Sequence, residues 1–387
     1  MTRTCLNSKM REQIPNRKLQ NSREASNLMI PRRLVRHEVI DIAVSTTGET
    51  ILYIPPKPIE RQSQNMQIFI NREFGLQIIN SQYSSNCSLL PFGSIKMGLG
   101  TITSDADCYM SIPEHFGQDQ EKFVNCASRL LSKRPSSFTE ITDITQAIVP
   151  LVKFYHIPTG IYCDLSFKTT LGVENSRFIR FLLQLDPRIL PTVIVIRYWA
   201  KVHKLTGAGK ITSYAWLLLI IFYLQQPPHS ILPSVAWLQR DKANEKIVEF
   251  WNTGYSEDIN NLPEHSNDST ISELIGGFFE FYSIFNFREM TVCPFLGEAI
   301  KTECFKDTCS LPTELDLYKK IVLCGQVRPI HFKKPFCIQD PFDLSHNVIS
   351  YTTSRAALDI ILYIQLAADI YKTSSRSSSA QYAFGFQ

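Results

Sequence analysis

No stretch of this 387-residue sequence is apolar for long enough to cross a bilayer; the longest such run, Ala215 to Leu224, reads as a buried helix. Ten cysteines are scattered along the chain, but no CxxC pair and no Cys/His cluster has zinc-ligand spacing. No secretory signal pattern precedes them. They read as reduced thiols of an intracellular protein, expected in the cytoplasm, with mitochondrion and nucleus as alternatives. Internal repeats are lacking, as are a zinc knuckle and the aromatic motif of an RNA-recognition module. Strong net charge is lacking too: the balance is +4, which excludes a polycation. The basic excess lies in residues 1–37, with nine basic residues against Glu12 and Glu24. That segment is expected to be a disordered arm that can add phosphate affinity.

What is present is ordinary for a globular enzyme: 44% hydrophobic and 20% charged residues, enough chain for two medium domains facing a cleft. Met66 to Ile79 has helical apolar spacing. Leu89–Phe92 is an apolar stretch ending in Gly93-Ser94, and Ile102–Met110 alternates like a strand. A helix is predicted over Glu121–Ser132 and strands over Ala147–Tyr155 and Gly160–Phe167. From about Glu174 the pattern turns helical: Ser176–Gln184, Leu190–Leu205, Thr212–Gln225, Ile271–Phe287, Leu315–Leu323 and Asp343–Tyr371. Asn252 to Thr270 is polar and reads as a surface insertion. The expected class is α+β: a mixed sheet with helices, then a mostly helical unit, and a cleft between them.

The most informative stretch is Leu90-Pro91-Phe92-Gly93-Ser94, followed after ten residues by Asp105-Ala106-Asp107. Side chains two apart on a strand share a face, so Asp105 and Asp107 would present paired carboxylates while Ala106 packs inward. Carboxylates held that close repel unless a cation lies between them. Magnesium takes carboxylate and phosphate oxygens. Two such ions about 3.5–4 Å apart can activate a hydroxyl and stabilise a leaving oxygen. A third carboxylate is wanted, and Asp164, an acid inside the apolar strand-like run Ile161–Phe167, is the candidate. Gly93 lets backbone approach phosphate, and the Ser94 hydroxyl adds to an anion cradle. Asp-x-Asp alone is common in turns and caps; the combination with Gly-Ser and a later strand aspartate is what makes it specific.

Phe92-Gly93-Ser94 with Ser104-Asp105-Ala106-Asp107 resembles the signature of the polymerase-beta-like nucleotidyltransferases. Gly172-Val173-Glu174-Asn175-Ser176, Arg197-Tyr198-Trp199-Ala200-Lys201, Thr212-Ser213-Tyr214 and Asp340-Pro341-Phe342-Asp343-Leu344-Ser345-His346-Asn347 narrow it. Together, over about residues 60–370, they resemble the noncanonical poly(A) polymerases and terminal uridylyltransferases. The resemblance implies a nucleotidyltransferase palm over 38–170, whose leading helix could pack on the second domain. A helical central domain over 171–373 and a flexible tail over 374–387 would follow. It implies that Asp105, Asp107 and Asp164 hold two Mg2+ or Mn2+ ions and that Asp164 polarises the RNA 3′-hydroxyl. Ser94, Arg197, Lys201 and Ser213 would hold the triphosphate, Tyr214 would stack on the base, and Asn175 and Ser176 would read the ribose. The family often has lysine at 197 and threonine at 176.

His346 carries the base preference. Uridine-adding members have a histidine in this Pro-Phe-acid-x-x-His-Asn context. An imidazole N–H can donate to uracil O4, where adenine offers an amino donor. Asp343 could orient that ring, and Asp340 would act beside it at the base edge. The same run is also good helix-start chemistry. The expected activity is addition of UMP from UTP to RNA 3′ ends. The alternatives are a poly(A) polymerase using ATP and, further off, a catalytically silent RNA-binding scaffold. RNA is the expected partner, no membrane is expected, and a partner protein could choose the substrate.

Overall fold

The computed structural model describes residues 42–44, 50–52, 87–101, 104–263 and 267–383. The basic arm and the expected Met66–Ile79 helix lie outside them. An antiparallel hairpin, β1 (Ile42–Val44) and β2 (Thr50–Leu52), belongs to one compact unit, and everything from Cys87 onward belongs to another.

That larger unit begins with a five-stranded mixed sheet ordered β3-β4-β7-β6-β5. The strands are β3 (Ser88–Phe92), β4 (Ala106–Ser111), β5 (Phe138–Ile144), β6 (Leu151–His156) and β7 (Ile161–Ser166). Pairing is antiparallel throughout except between β4 and β7. Alternation decides the two faces. Ala106, Cys108, Met110, Val152, Phe154, Cys163 and Leu165 are buried in one cluster with Val124, Ala127 and Leu131 of α2 (Gln120–Ser132). The other face keeps the polar residues. β5 was not expected: its Thr-, Glu- and Asp-rich sequence is mostly exposed and broken by a register shift between Thr139 and Thr142.

The rest is mostly helical. After the short α1 (Gly93–Lys96) and α2 come α3 (Leu171–Leu182), α4 (Ile189–Val202), α5 (Ser213–Gln225), α6 (Val235–Leu238), α7 (Ile271–Ile284), α8 (Asp316–Leu323) and α9 (Ser354–Ala383). Every residue of α5 from Ala215 to Gln225 is buried. A helix apolar on all sides has to be the centre of its layer, and α4 and α7 pack on it. Thr212 caps it, its hydroxyl accepting the Ala215 N–H at 3.1 Å. Among the described residues no helix is long and apolar enough to cross a membrane.

One expectation needs correction. The predicted Asp343–Tyr371 helix starts only at Ser354, and residues 341–353 are turns. Asp340 accepts the N–H groups of Phe342 and Asp343, and the bridge Gln339↔Asn347 closes the turn into a loop. The chemistry that reads as a helix cap serves equally well in an Asx turn. At the other end the helix runs to Ala383, across much of the expected 374–387 tail. In the Asn252–Thr270 segment, Tyr255 is buried against Phe178 and Phe342, so this insertion is anchored by an aromatic.

Candidate active site

Phe92 on β3, Asp107 on β4, Asp164 on β7, Lys153 on β6 and Thr142 on β5 are successive register partners across the sheet. Paired residues present their side chains on one face, so Asp107, Asp164, Lys153 and Thr142 form a polar row that ends at Phe92, beside Gly172 of α3. Asp105, two residues before Asp107, lies on the same side.

The carboxylates crowd one another. Burial, then the negative charges of Asp164 and Asp105, push the Asp107 carboxyl up to about 7. Burial and Asp164 raise Asp105 as well, and Lys153 opposes both shifts. Lys153 Nζ lies 2.5 Å from Asp164 Oδ2. Nothing in the sequence singled out this lysine. Alternation puts it on the polar face of its strand, but only the register places it against Asp164.

Gly93 closes β3 with φ +71°, and a Cβ there would lie 2.0 Å from Asp107 Oδ2. Glycine is therefore required both by the backbone and by the carboxylate leaning on it. The turn is tied to the helical layer: Gly93 N–H donates to Ser176 Oγ at 2.8 Å, and Ser176 Oγ donates to the Gly172 carbonyl at 2.7 Å. Ser176 thus spends its donor and one acceptor site on positioning the turn, and one acceptor site remains.

A cavity of about 460 Å³ opens beside the row, a nucleotide-sized volume. Gly93, Ser94, Asp105 and Asp107 line it from the sheet side, and Asn175, Ser176, Arg197, Ser213 and Tyr214 from the helices. Asn175 Oδ1 and Arg197 Nε are buried with no hydrogen-bond partner among the described residues. Burial holds the Arg197 pKa below its ordinary value, so this wall would gain from an anion and from a hydrogen-bond donor.

Residues 59–184 match the family described as poly(A) RNA polymerase, mitochondrial-like, central palm domain, and residues 270–346 match Cid1 family poly A polymerase. The chain belongs to the noncanonical poly(A) polymerase and terminal uridylyltransferase family. It is 28% identical over 266 residues to the Xenopus tropicalis speckle targeted PIP5K1A-regulated poly(A) polymerase, covering 66% of this chain and 29% of that protein. With human terminal uridylyltransferase 7 it shares 28% over 301 residues, 75% of this chain and 18% of that protein. The chain thus spans less than a third of these relatives. Its fold resembles a mutant of the Cid1 poly(U) polymerase bound to MgATP, with TM-score 0.65 and 20% identity over 81% of this chain and 89% of that one. It also resembles mtPAP in complex with ATPγS, with TM-score 0.63 and 21% identity over 84% and 73%.

The remaining family positions lie outside the cavity lining. Lys201 is exposed on α4, one turn beyond Arg197. Asp340 is 2% exposed, and its Oδ2 accepts from Tyr214 Oη at 2.9 Å and Asn175 Nδ2 at 3.1 Å. That oxygen is committed to the wall, while Oδ1 accepts the N–H groups of Phe342 and Asp343 and holds the turn. Asp343 Oδ1 accepts from the Ser345 N–H and hydroxyl, so this acid braces its own turn. His346 is exposed on that turn, and its carbonyl accepts the Asp340 N–H at 3.0 Å.

For this family the donor set suits hard divalent cations: it is all oxygen, mutually repelling, and includes a carboxyl held near 7. Among the described residues no three acidic, histidine or cysteine side chains are yet gathered tightly enough to cage an ion. Asp164 Oδ2 is bound to Lys153 instead.

Proposed function

We propose that the chain adds nucleotides to RNA 3′ ends without a template, with UTP as the preferred donor of UMP. The reading is carried by one observation: a row of aspartates beside a nucleotide-sized cavity whose opposite wall holds a half-buried arginine with an unpartnered buried Nε and an unpartnered amide oxygen. Residues 38–170 serve as the palm and 171–373 as the helical central domain. Asp105, Asp107 and Asp164 would hold two Mg2+ or Mn2+ ions, which supply the charge that activates a hydroxyl and steadies a leaving oxygen. The RNA 3′-oxygen forms its bond to the α-phosphorus as the bond from that phosphorus to the β-phosphate oxygen breaks, and pyrophosphate leaves. Asp164 polarises the attacking hydroxyl.

Arg197, Ser94 and Ser213 take the triphosphate, since a desolvated guanidinium gains most from a charged acceptor. Lys201 adds charge from the exposed side of the same helix. Asn175 Oδ1 accepts from a ribose hydroxyl, and the spare acceptor site of Ser176 assists. Tyr214, its hydroxyl pinned to Asp340, offers its ring to the base.

Uridine is favoured by the turn that carries His346. Through Asp340 this turn is laced to Tyr214 and Asn175 of the cavity wall, which supports reading His346 as the donor to uracil O4. ATP is the second reading, favoured by the names of the relatives. The test supplies magnesium, an RNA oligonucleotide and one NTP at a time. Faster extension with UTP supports the proposal, and faster extension with ATP overturns the base choice. No extension with any NTP returns the silent-scaffold reading.

A further inference from the structure

Lys153 has no part in the scheme above, yet it stands in the row of carboxylates as the register partner of Asp164. Its Nζ lies 2.5 Å from Asp164 Oδ2, with side-chain exposures of 44% and 19%. The contact is a charge-assisted hydrogen bond. Its partner on the far side, Thr142, is neutral. The ammonium therefore answers to the aspartates alone within the row. Three aspartates close enough to shift one another would be expected to gather as a ligand set. Among the described residues no such set is gathered, and one oxygen of the third aspartate is held by Lys153.

We infer that Lys153 is the built-in counter-ion of the aspartate cluster and competes with divalent cations for Asp164 Oδ2. The inference rests on the two-ion reading of the proposed function. Its consequence is an exchange. The ammonium offsets repulsion among three carboxylates before an ion arrives, and it must release Oδ2 when one enters. It also repels the incoming charge. Lys153 thus lowers ion affinity while steadying the fold, acting through Asp164 as a positioning residue.

The test measures Mn2+ binding to the nucleotide-free full chain by electron paramagnetic resonance, alongside thermal unfolding in EDTA and in Mg2+. Lys153→Met keeps the stem and removes the charge, and Lys153→Arg keeps the charge. The Met variant should bind Mn2+ roughly tenfold tighter. It should also unfold about 2–4 °C lower in EDTA and recover that loss in Mg2+. The Arg variant should stay near wild type. Equal or weaker Mn2+ binding by Lys153→Met, with unchanged unfolding in EDTA, overturns the inference. Lys153→Gln carries the same comparison if the Met variant does not fold. Asp164→Asn separates the two levels: it should weaken Mn2+ binding with or without Lys153. If Mn2+ binding ignores Asp164→Asn, the two-ion reading itself falls, and the counter-ion falls with it.

Discussion

Asp107 and Asp340 are both withdrawn from water, and burial raises both carboxyls. Their surroundings are opposite. Asp340 has two backbone N–H groups on one oxygen and Tyr214 and Asn175 on the other. Asp107 has Asp105 and Asp164 for neighbours, and their charge adds to its shift. One acid is spent on architecture, while the other is kept short of positive charge. Burial alone does not mark a reactive acid; unmet electrostatic demand does.

Removing each acid should break the comparison most visibly. Asp107→Ala should lower nucleotide incorporation by about a thousandfold or more, the scale of losing a cation site. Its unfolding temperature in EDTA should hold or rise, because a repelling charge is gone. Primer extension and thermal unfolding read the two. Near-normal extension would mean that the row is not catalytic.

Gly93→Ala tests the same row from the backbone side. The new Cβ would sit 2.0 Å from Asp107 Oδ2 at φ +71°. The carboxylate has to move, and a displacement of that order costs about a hundredfold in rate. Extension kinetics at saturating UTP measure it, and a rate within threefold of wild type would count against the close approach.

Asp340→Asn is the matched change in the other region. It puts an amide donor against Tyr214, Asn175 or the turn N–H groups, each of which already donates. Folding stability should fall by about 2–3 kcal/mol, read from denaturant midpoints. Asp107→Asn, the same substitution, should be neutral or stabilising without added cations. Equal losses at both positions would show that the two acids are held alike.

Acidity sharpens it further. Asp107 keeps its proton to about 7 in the folded chain but only to about 4 when unfolded. Between those values the folded state binds more protons, so stability that is full below about 4 is lost as pH rises to about 7. In EDTA the unfolding free energy should decline across that window by about 1–2 kcal/mol. Asp107→Asn should flatten the decline, and Mg2+ should reverse it. A flat wild-type profile in EDTA would show that burial and the neighbouring carboxylates do not hold the Asp107 carboxyl above its ordinary value.

Much of this contrast was legible in residue spacing, because strand alternation alone puts Asp105 and Asp107 on one side and Ala106 on the other. Asp164 could be picked as the odd acid in an apolar strand, but its alignment with Asp107 is a fact of register. Lys153 escaped for the same reason, since a lysine on the polar face of a strand is commonplace until its partner is known. The positioning duty of Ser176 is not legible in the sequence, because a hydroxyl's partners cannot be read there, and here two of them are Gly93 and Gly172. The Asp340 turn reads as a helix start in the sequence because capping and Asx-turn chemistry use the same residues.

The smallest effect belongs to His346, and it decides whether the second region touches the base at all. The residue is exposed, and it lies outside the residues lining the cavity. A donor to uracil O4 from that position, partly exposed to water, is worth about 1 kcal/mol. His346→Ala should therefore shrink the ratio of UTP to ATP incorporation by roughly fivefold and leave Mn2+ binding unchanged. Asp340→Asn, by loosening the turn, should shrink it too, whereas Asp107→Asn should slow both nucleotides alike. If His346→Ala leaves the ratio intact while Asp340→Asn alters it, base choice lies with the Tyr214–Asn175 wall, and the turn serves only as its brace.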